Sequence, residues 1–392
     1  MSEWKEYKLS DLMQIKYGKD HKHLADGPYP LYGSGGVMRY VEKPLYELES
    51  ILIPRKGTLS NLFYLNEPFW SVDTMFYSKI NYELTIPKYL YYTLKTFDLA
   101  SLNVGSAVPS LTTEVLNEVL VSVPDLPTQT AIAEILSSLD DKIELNNKIN
   151  LELENLAQTL FKQWFIDFEF PDENGEPYKS SGGEMVDSEL GEIPKDWEVL
   201  KIGEVLDFVS GYPFKGASFS KDGNYGIVTI KNVQDGLFVE QIDNYIDELP
   251  NKFPVSTMLT IGDILMSLTG NVGRVCYVTS DNCLLNQRVV KFKSVQENAN
   301  SFWYYYFRQN AIKEVLISIS KGTAQLNLSP VETKLLQCKL PTIIAPHILS
   351  AFDAIFSKQI ECSMENKNLS NLRDTLLPKL ISGELEINQT LN

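Results

Sequence analysis

LSSLDDKIELNNKINLELENLAQTL at residues 136–160 and FDAIFSKQIECSMENKNLSNLRDTL at 352–376 share one spacing of seam positions, 216 residues apart. In the first stretch Leu136, Leu139, Ile143, Asn146, Asn150, Leu153, Ala157 and Leu160 advance by three and four. In the second, Phe352, Ile355, Gln359, Cys362, Asn366, Leu369, Arg373 and Leu376 do the same. Steps of three and four keep one face of a helix in line, the pattern of a coiled-coil heptad. Two such rods in one chain can cover each other's seams, and an antiparallel intramolecular pair is the economical closure.

Reading outward, Pro124 and Pro127 end the preceding segment. Thr128 is the expected N-cap of a first rod running to about Phe165, roughly 38 residues or about 57 Å. Pro341 and Pro346 introduce the second rod, expected to stop at about Leu377 before Pro378. Asn146, Asn150 and Asn366 at seam positions have two readings. Either the seam is partly solvated there, or buried Asn fixes alignment, with Asn150 and Asn366 facing each other near the midpoint.

The segments ahead of the rods repeat more loosely. Trp4 to Leu12 parallels Trp197 to Val205, and Ile51 to Gly57 aligns with Ile264 to Gly270 at a separation of 213. Each segment mixes short β-type runs with a helical stretch and is punctuated by Gly and Pro. The fold expected is α+β: two globular heads separated by two long helices that form an antiparallel intramolecular coiled coil. The expected division is head one at 1–127, central helix 128–166, acidic linker 167–192, head two at 193–345, C-terminal helix 346–378 and tail 379–392. The linker, PDENGEPYKSSGGEMVDSELGE, has the composition of a loop or flexible connector.

With 392 residues, 44% of them hydrophobic, the chain is long enough for more than one core. No apolar run approaches a membrane span and the first twelve residues are polar, so a cytoplasmic, soluble protein is expected. The four cysteines contain no C-x-x-C pair and are expected as reduced, buried thiols. The net charge of -16 is uneven. Residues 131–196 hold 5 basic and 16 acidic side chains, whereas 197–345 hold 14 of each and 1–130 hold 12 and 15. Nearly neutral heads leave room for local basic patches, while the acidic middle suits a protein partner better than DNA. A chain this acidic is expected to bind DNA weakly alone, a basic partner completing the clamp.

Several strings resemble one family. LGEIPKDWEVLKIGEV at 190–205, ILMSLTGNVGRV at 264–275, LNQRVV at 285–290, GTAQLNLSP at 322–330 and LLPKLISGELEI at 376–387 look like the specificity (S) subunits of type I restriction-modification systems. So do YGSGG at 32–36, ILIPRKG at 51–57, FWSVDTMF at 69–76 and LFKQWFIDFEFP at 160–171. The resemblance implies a subunit without catalytic chemistry, whose two target-recognition domains each read one half of a split, asymmetric double-stranded DNA site. It implies helices that set the spacer and dock two methylase (M) subunits, with restriction/motor (R) subunits in the full complex. No cofactor is implied in this chain; S-adenosylmethionine, and ATP with Mg, are implied on the partner subunits.

The residues agree that chemistry lies elsewhere. No G-x-G-x-x-G loop, N-P-P-Y or D-P-P-Y string or G-x-x-x-x-G-K-[ST] loop occurs, and YGSGG reads as a turn. His21 and His23 have no further Cys or His nearby, so no metal site is expected. Two other classes stay open: an enzyme acting on DNA itself, and a non-DNA tandem-domain coiled-coil scaffold. Within the family, a silent or methylation-only variant is the alternative.

Base edges are read by Arg, Lys, Asn and Gln, and phosphates are clamped by cations. In head one the DNA-binding candidates are Lys16, Lys19, Lys22, Arg39, Arg55, Lys56 and Asn61. In head two they are Lys215, Lys231, Asn232, Asn271, Arg274, Gln287, Arg288, Lys321, Thr323 and Gln325. Such clusters also occur on any solvated surface. Tyr89, Tyr91 and Tyr92, like Trp303 to Phe307, lie on matched helices and are expected to pack rather than to stack on bases. Trp164 and Phe165 are expected to cap the first rod or to join a protein interface. The half-sites are not legible, because no simple residue-to-base code applies.

Overall fold

The computed structural model describes residues 4–105, 109–323 and 325–387. Ala324 of the GTAQLNLSP string and the last five residues of the tail lie outside the described residues. The chain divides into two compact units, one of residues 1–144 with 367–392, the other of 145–366. Each unit holds a head and one stretch of each long helix.

The head of the first unit is built on a four-stranded antiparallel sheet in the order Met13–Tyr17, Met75–Ile80, Ser50–Pro54, Phe63–Leu65. Ser50–Pro54 is buried at every residue, which is why SILIP shows no polar alternation. Its one hydroxyl is satisfied, Ser50 Oγ donating to the Ser78 carbonyl at 2.8 Å. A second sheet orders Gly36–Val41, Tyr29–Gly33 and Trp70–Ser71, the last pair parallel. Helix Pro87–Lys95 buries Tyr89, Leu90, Tyr92 and Leu94. Ile132, Ala133 and Leu136 of the first long helix join this core, as do Leu377, Leu380 and Ile381 of the second.

The second unit repeats the plan. Its four-stranded sheet runs Leu206–Ser210, Val289–Ser294, Ile264–Ser267, Val275–Tyr277, and its second sheet again contains a parallel pair, Tyr225–Val228 beside Cys283–Leu285. Helix Asn300–Phe307 is buried from Ser301 to Phe307, so its aromatics pack, as the sequence indicates. Phe165 lies 4.8 Å from Phe302 and 5.5 Å from Trp197, centroid to centroid, and Trp164 meets Phe352 edge-on at 5.8 Å. Both residues cap the rod within the chain. Burial of each such ring contributes about 1.5–3 kcal/mol.

The long helices span Leu126–Phe161 and Pro346–Ile381, each 36 residues, or about 54 Å. The first begins earlier than Thr128 because Asp125 is its cap. The Asp125 carboxylate accepts the Thr128 N–H at 2.9 Å, and hydrogen bonding from the Thr128 side chain and from that N–H holds its pKa below the usual carboxylate range. A π-helical turn, Lys162–Ile166, carries the chain on to Phe168. The second helix passes through Pro378 to Ile381 rather than stopping before it. Burial of Leu377, Leu380 and Ile381 in the head-one core holds that last turn.

Both units show the helices antiparallel. In the first, Asp140 pairs with Arg373 at 2.6 Å while Leu136 and Leu377 share a core. In the second, Asn146 donates to Asn366 Oδ1 at 2.9 Å, Asn150 to Ser363 at 3.2 Å and Gln359 to Glu154 at 3.3 Å. Asn366 therefore faces Asn146, not Asn150. Asn146 is fully buried, and Asn150 and Asn366 are half-buried.

The expected flexible linker is ordered onto the second unit. Phe168 and Phe170 pack on Trp197 at 5.4 Å each, Phe170 stacks on Tyr178 at 4.7 Å, and Met185–Val186 pairs with Ile193–Pro194. Its composition hid this because two aromatic side chains do the anchoring. Among the described residues no helix is long and apolar enough to cross a membrane, and all four cysteines are buried.

A buried ion pair joins the first long helix to the aromatic helix. Arg308 Nε donates to Glu154 Oε1 at 2.8 Å with Asp235 3.0 Å away, and the Arg308 and Glu154 side chains are only 12% and 15% exposed. Burial alone would lower the Arg308 pKa, but Tyr304, Glu154 and Asp235 raise it above its ordinary value. Arg308→Ala is expected to destabilise the second unit by about 3–5 kcal/mol, because Glu154 is left buried without its cation. Native-state hydrogen exchange of helix Asn300–Phe307 measures this, and a loss below about 1 kcal/mol would mark the pair as an ordinary surface one.

Candidate nucleic-acid interface

In the first unit the loops that follow the sheet strands are tied into one cluster. The Lys19 N–H donates to the Ser71 carbonyl at 2.9 Å, the Arg55 N–H to Thr74 at 2.9 Å and the Val72 N–H to Tyr32 at 3.0 Å. Asn61 Nδ2 reaches the Ser34 carbonyl at 2.6 Å. Lys19, Arg55, Lys56 and Asn61, far apart in sequence, are thereby gathered on one rim. Lys56 is exposed, and the Arg55 guanidinium lies 5.3 Å over the Tyr17 ring while donating to the Asp73 carbonyl at 3.2 Å. Lys16 is half-buried on the adjoining strand and Lys22 exposed on the loop beyond Lys19.

Arg39 does not belong to that rim as a free cation. Its guanidinium is taken up by Asp26 at 2.9 Å and by the carbonyls of His21 and Leu24 at 2.8 and 3.0 Å, so it staples the 21–26 loop.

The second unit builds the same kind of rim from four loops. The Tyr212 N–H donates to Leu285 at 2.9 Å and the Gln287 N–H to Tyr212 at 3.1 Å. The Leu268 N–H donates to Arg288 at 2.8 Å, Leu328 to Leu268 at 2.7 Å and Gly270 to Leu326 at 2.9 Å. The Thr269 hydroxyl donates to Asn327 Oδ1 at 2.9 Å. Segments 211–215, 268–274, 286–288 and 321–327 are so brought together. They carry Lys215, Asn271, Arg274, Gln287, Arg288, Lys321, Thr323 and Gln325, all exposed except the half-buried Arg274. Arg274 is aimed by Gln234 and, with the amide oriented to accept, by Asn271 at 2.8 Å. Arg288 sits at φ +72°, a left-handed backbone that turns the loop outward.

Lys231 and Lys321 form exposed pairs with Asp243 at 2.8 Å and Glu332 at 2.5 Å. The bond and charge of Asp243 raise the Lys231 pKa. Surface pairs of this kind are weak enough for a phosphate to displace the carboxylate. Asn232 must be removed from the candidates. It is 2% exposed, and its amide is fully used by Thr229, by the Val239 carbonyl at 2.8 Å and by the Gln241 carbonyl at 3.1 Å. It is a turn residue.

Two glycines decide whether these rims close, and neither stood out in the sequence. A Cβ on Gly18 would lie 2.0 Å from the Val72 carbonyl oxygen, and one on Gly211 only 1.9 Å from that of Asn286. Each directly follows the outer strand of its head's four-stranded sheet, Met13–Tyr17 or Leu206–Ser210, and the separation of 193 equals that of Trp4 and Trp197. That shared spacing was the available signal. Both rims present hydrogen-bond donors and cations, the groups suited to phosphates and base edges. Among the described residues no group of three or more His, Cys, Asp or Glu is placed to hold a metal ion.

Residues 1–155 and 194–365 match the family described as type I restriction modification DNA specificity domain. The chain belongs to the type I restriction-modification specificity subunits. It is 30% identical over 386 residues to the type I restriction enzyme MjaIX specificity subunit of Methanocaldococcus jannaschii, covering 94% of this chain and 86% of that one. To the HindI specificity subunit of Haemophilus influenzae it is 26% identical over 368 residues, 78% and 79% of the two chains. The fold is that of a type I restriction-modification S subunit from M. genitalium, with a TM-score of 0.59 over 99% of this chain and 97% of that one at 16% identity. Specificity subunits are non-catalytic, and the two rims stand on the repeated heads of this one.

Gly18→Ala and Gly211→Ala are each expected to destabilise their own head by about 1–3 kcal/mol, because the neighbouring loop must move away. Thermal unfolding of each variant checks this; an unchanged midpoint would show that the loops yield freely.

Proposed function

We propose that this specificity subunit directs a methylase to a split, asymmetric DNA site, with head one (1–127) reading one half and head two (193–345) the other. The observation that carries the reading is the duplicated rim: equivalent sheets in each unit present donor-rich loops, but with different side chains at the tips. Equivalent scaffolds with different tips are suited to two different half-sites. Of the candidates, Lys16, Lys19, Lys22, Arg55, Lys56 and Asn61 serve the first half-site. Lys215, Lys231, Asn271, Arg274, Gln287, Arg288, Lys321, Thr323 and Gln325 serve the second. Phosphate contacts from the lysines set orientation, and Arg, Asn and Gln read base edges in the major groove.

The long helices fix the spacing between half-sites, and their outer faces dock two methylase subunits. Exposed Leu145, Leu151 and Leu156, 51%, 60% and 47% accessible, lie off the seam and give such a subunit apolar surface. The methylases carry S-adenosylmethionine, and restriction/motor subunits in the full complex carry ATP with Mg. The assembly acts on DNA in the cytoplasm.

Genome-wide adenine methylation after co-expression with the methylase encoded beside it is expected to yield one split motif with a fixed spacer. A methylase-only control is expected to yield none; an assembled complex that methylates no split motif overturns the reading. Gln287→Ala with Arg288→Ala is expected to relax one half of that motif and leave the other unchanged. Loss of selectivity at both halves would refute one head per half-site. Inserting one heptad into both long helices, between 144 and 145 and between 366 and 367, lengthens them by about 10 Å. The spacer is then expected to grow by about three base pairs at roughly 3.4 Å each, with both half-sites unchanged.

A further inference from the structure

On the rim of head one, the hairpin of strands Tyr29–Gly33 and Gly36–Val41 displays apolar side chains. Val37, Met38 and Tyr40 are 47%, 60% and 55% exposed, and Gly36–Val41 is an edge strand. Met38 belongs to the loop cluster itself. Its sulfur lies over Gly33, 2.6 Å from where a Cβ would stand, and Val72 Cγ2 lies 3.9 Å from the same point. Val72 precedes the Asp73 and Thr74 carbonyls that hold Arg55, and follows Ser71, whose carbonyl holds the Lys19 N–H. The turn before Met38 is fixed by Asn61, which donates to the Ser34 carbonyl at 2.6 Å.

A thioether held in place yet mostly in water does no core packing. The loops to which this hairpin is tied carry Lys19, Arg55 and Lys56, which draw in a polyanion, and the apolar group that a DNA major groove displays is the thymine 5-methyl. We propose that Met38 reads a thymine in the first half-site through its 5-methyl group. The absence of a side chain at Gly33 leaves the space in which the Met38 sulfur lies across the turn. The inference rests on the reading of head one as a DNA-reading domain.

The test uses the complex of the full chain with its methylase, after the wild-type motif has been mapped. In duplexes carrying the site, each thymine of the half-site read by head one is replaced in turn by deoxyuridine, which lacks only the methyl. At one position the wild type is expected to bind about fourfold more weakly, the weight of one methyl removed from water. Met38→Ala and Met38→Gln are expected to bind thymine and deoxyuridine duplexes alike at that position. No thymine in that half-site, no position sensitive to the methyl, or equal sensitivity in wild type and variants overturns the proposal while leaving the split-site reading intact. Absence of any split motif from the wild-type complex overturns both.

Discussion

A helix with one apolar stripe does not hold its shape in water until the stripe is covered. In this chain each long helix covers the other, and the heads are seated by the same packing. Leu136 is at once a seam residue and a core residue of the first unit, where Ile132, Leu377 and Leu380 of the long helices join it. Phe352 plays that part in the second, where Phe161 and Phe165 join it; all three meet Phe302, and Phe165 also meets Trp197. Register between the helices is consequently set by two aromatic or aliphatic cores, and the buried Asn146 contributes a polar contact to a pairing already fixed. The buried Arg308–Glu154 pair ties the first long helix to the aromatic helix, and loss of either partner would leave a charge buried alone.

Much of this was legible because periodicity reports burial. The 3–4 spacing places every seam residue from Leu136 to Leu160 and from Phe352 to Leu376 on the covered face, and runs such as SILIP and ILMS mark strands buried on both sides. What escaped depended on single atoms or on contacts distant in sequence. Asp125 rather than Thr128 caps the first helix because its carboxylate reaches the Thr128 N–H. Pro378 did not stop the second helix because tertiary burial outweighed one lost hydrogen bond. Arg39 and Asn232 have the side chains of DNA readers, yet one staples a loop and the other fills a turn. Residue type cannot separate a donor facing solvent from a donor facing a carbonyl.

The charge distribution follows the same division of labour. The heads are close to neutral, while the excess of acid lies between 131 and 196.

The strings LFKQWFIDFEFP and LLPKLISGELEI occupy matching places, one after each seam, and the heads begin with matching Trp4 and Trp197. In each unit the residues after the seam return to that Trp: Phe168 and Phe170 lie on Trp197, and Gly383 approaches Trp4 so closely that a Cβ there would stand 3.0 Å from the indole. Each head is thus closed by the same kind of contact. Its opening Trp is covered by a segment that leaves a seam, so the loops of either head can differ while the way it is shut stays the same.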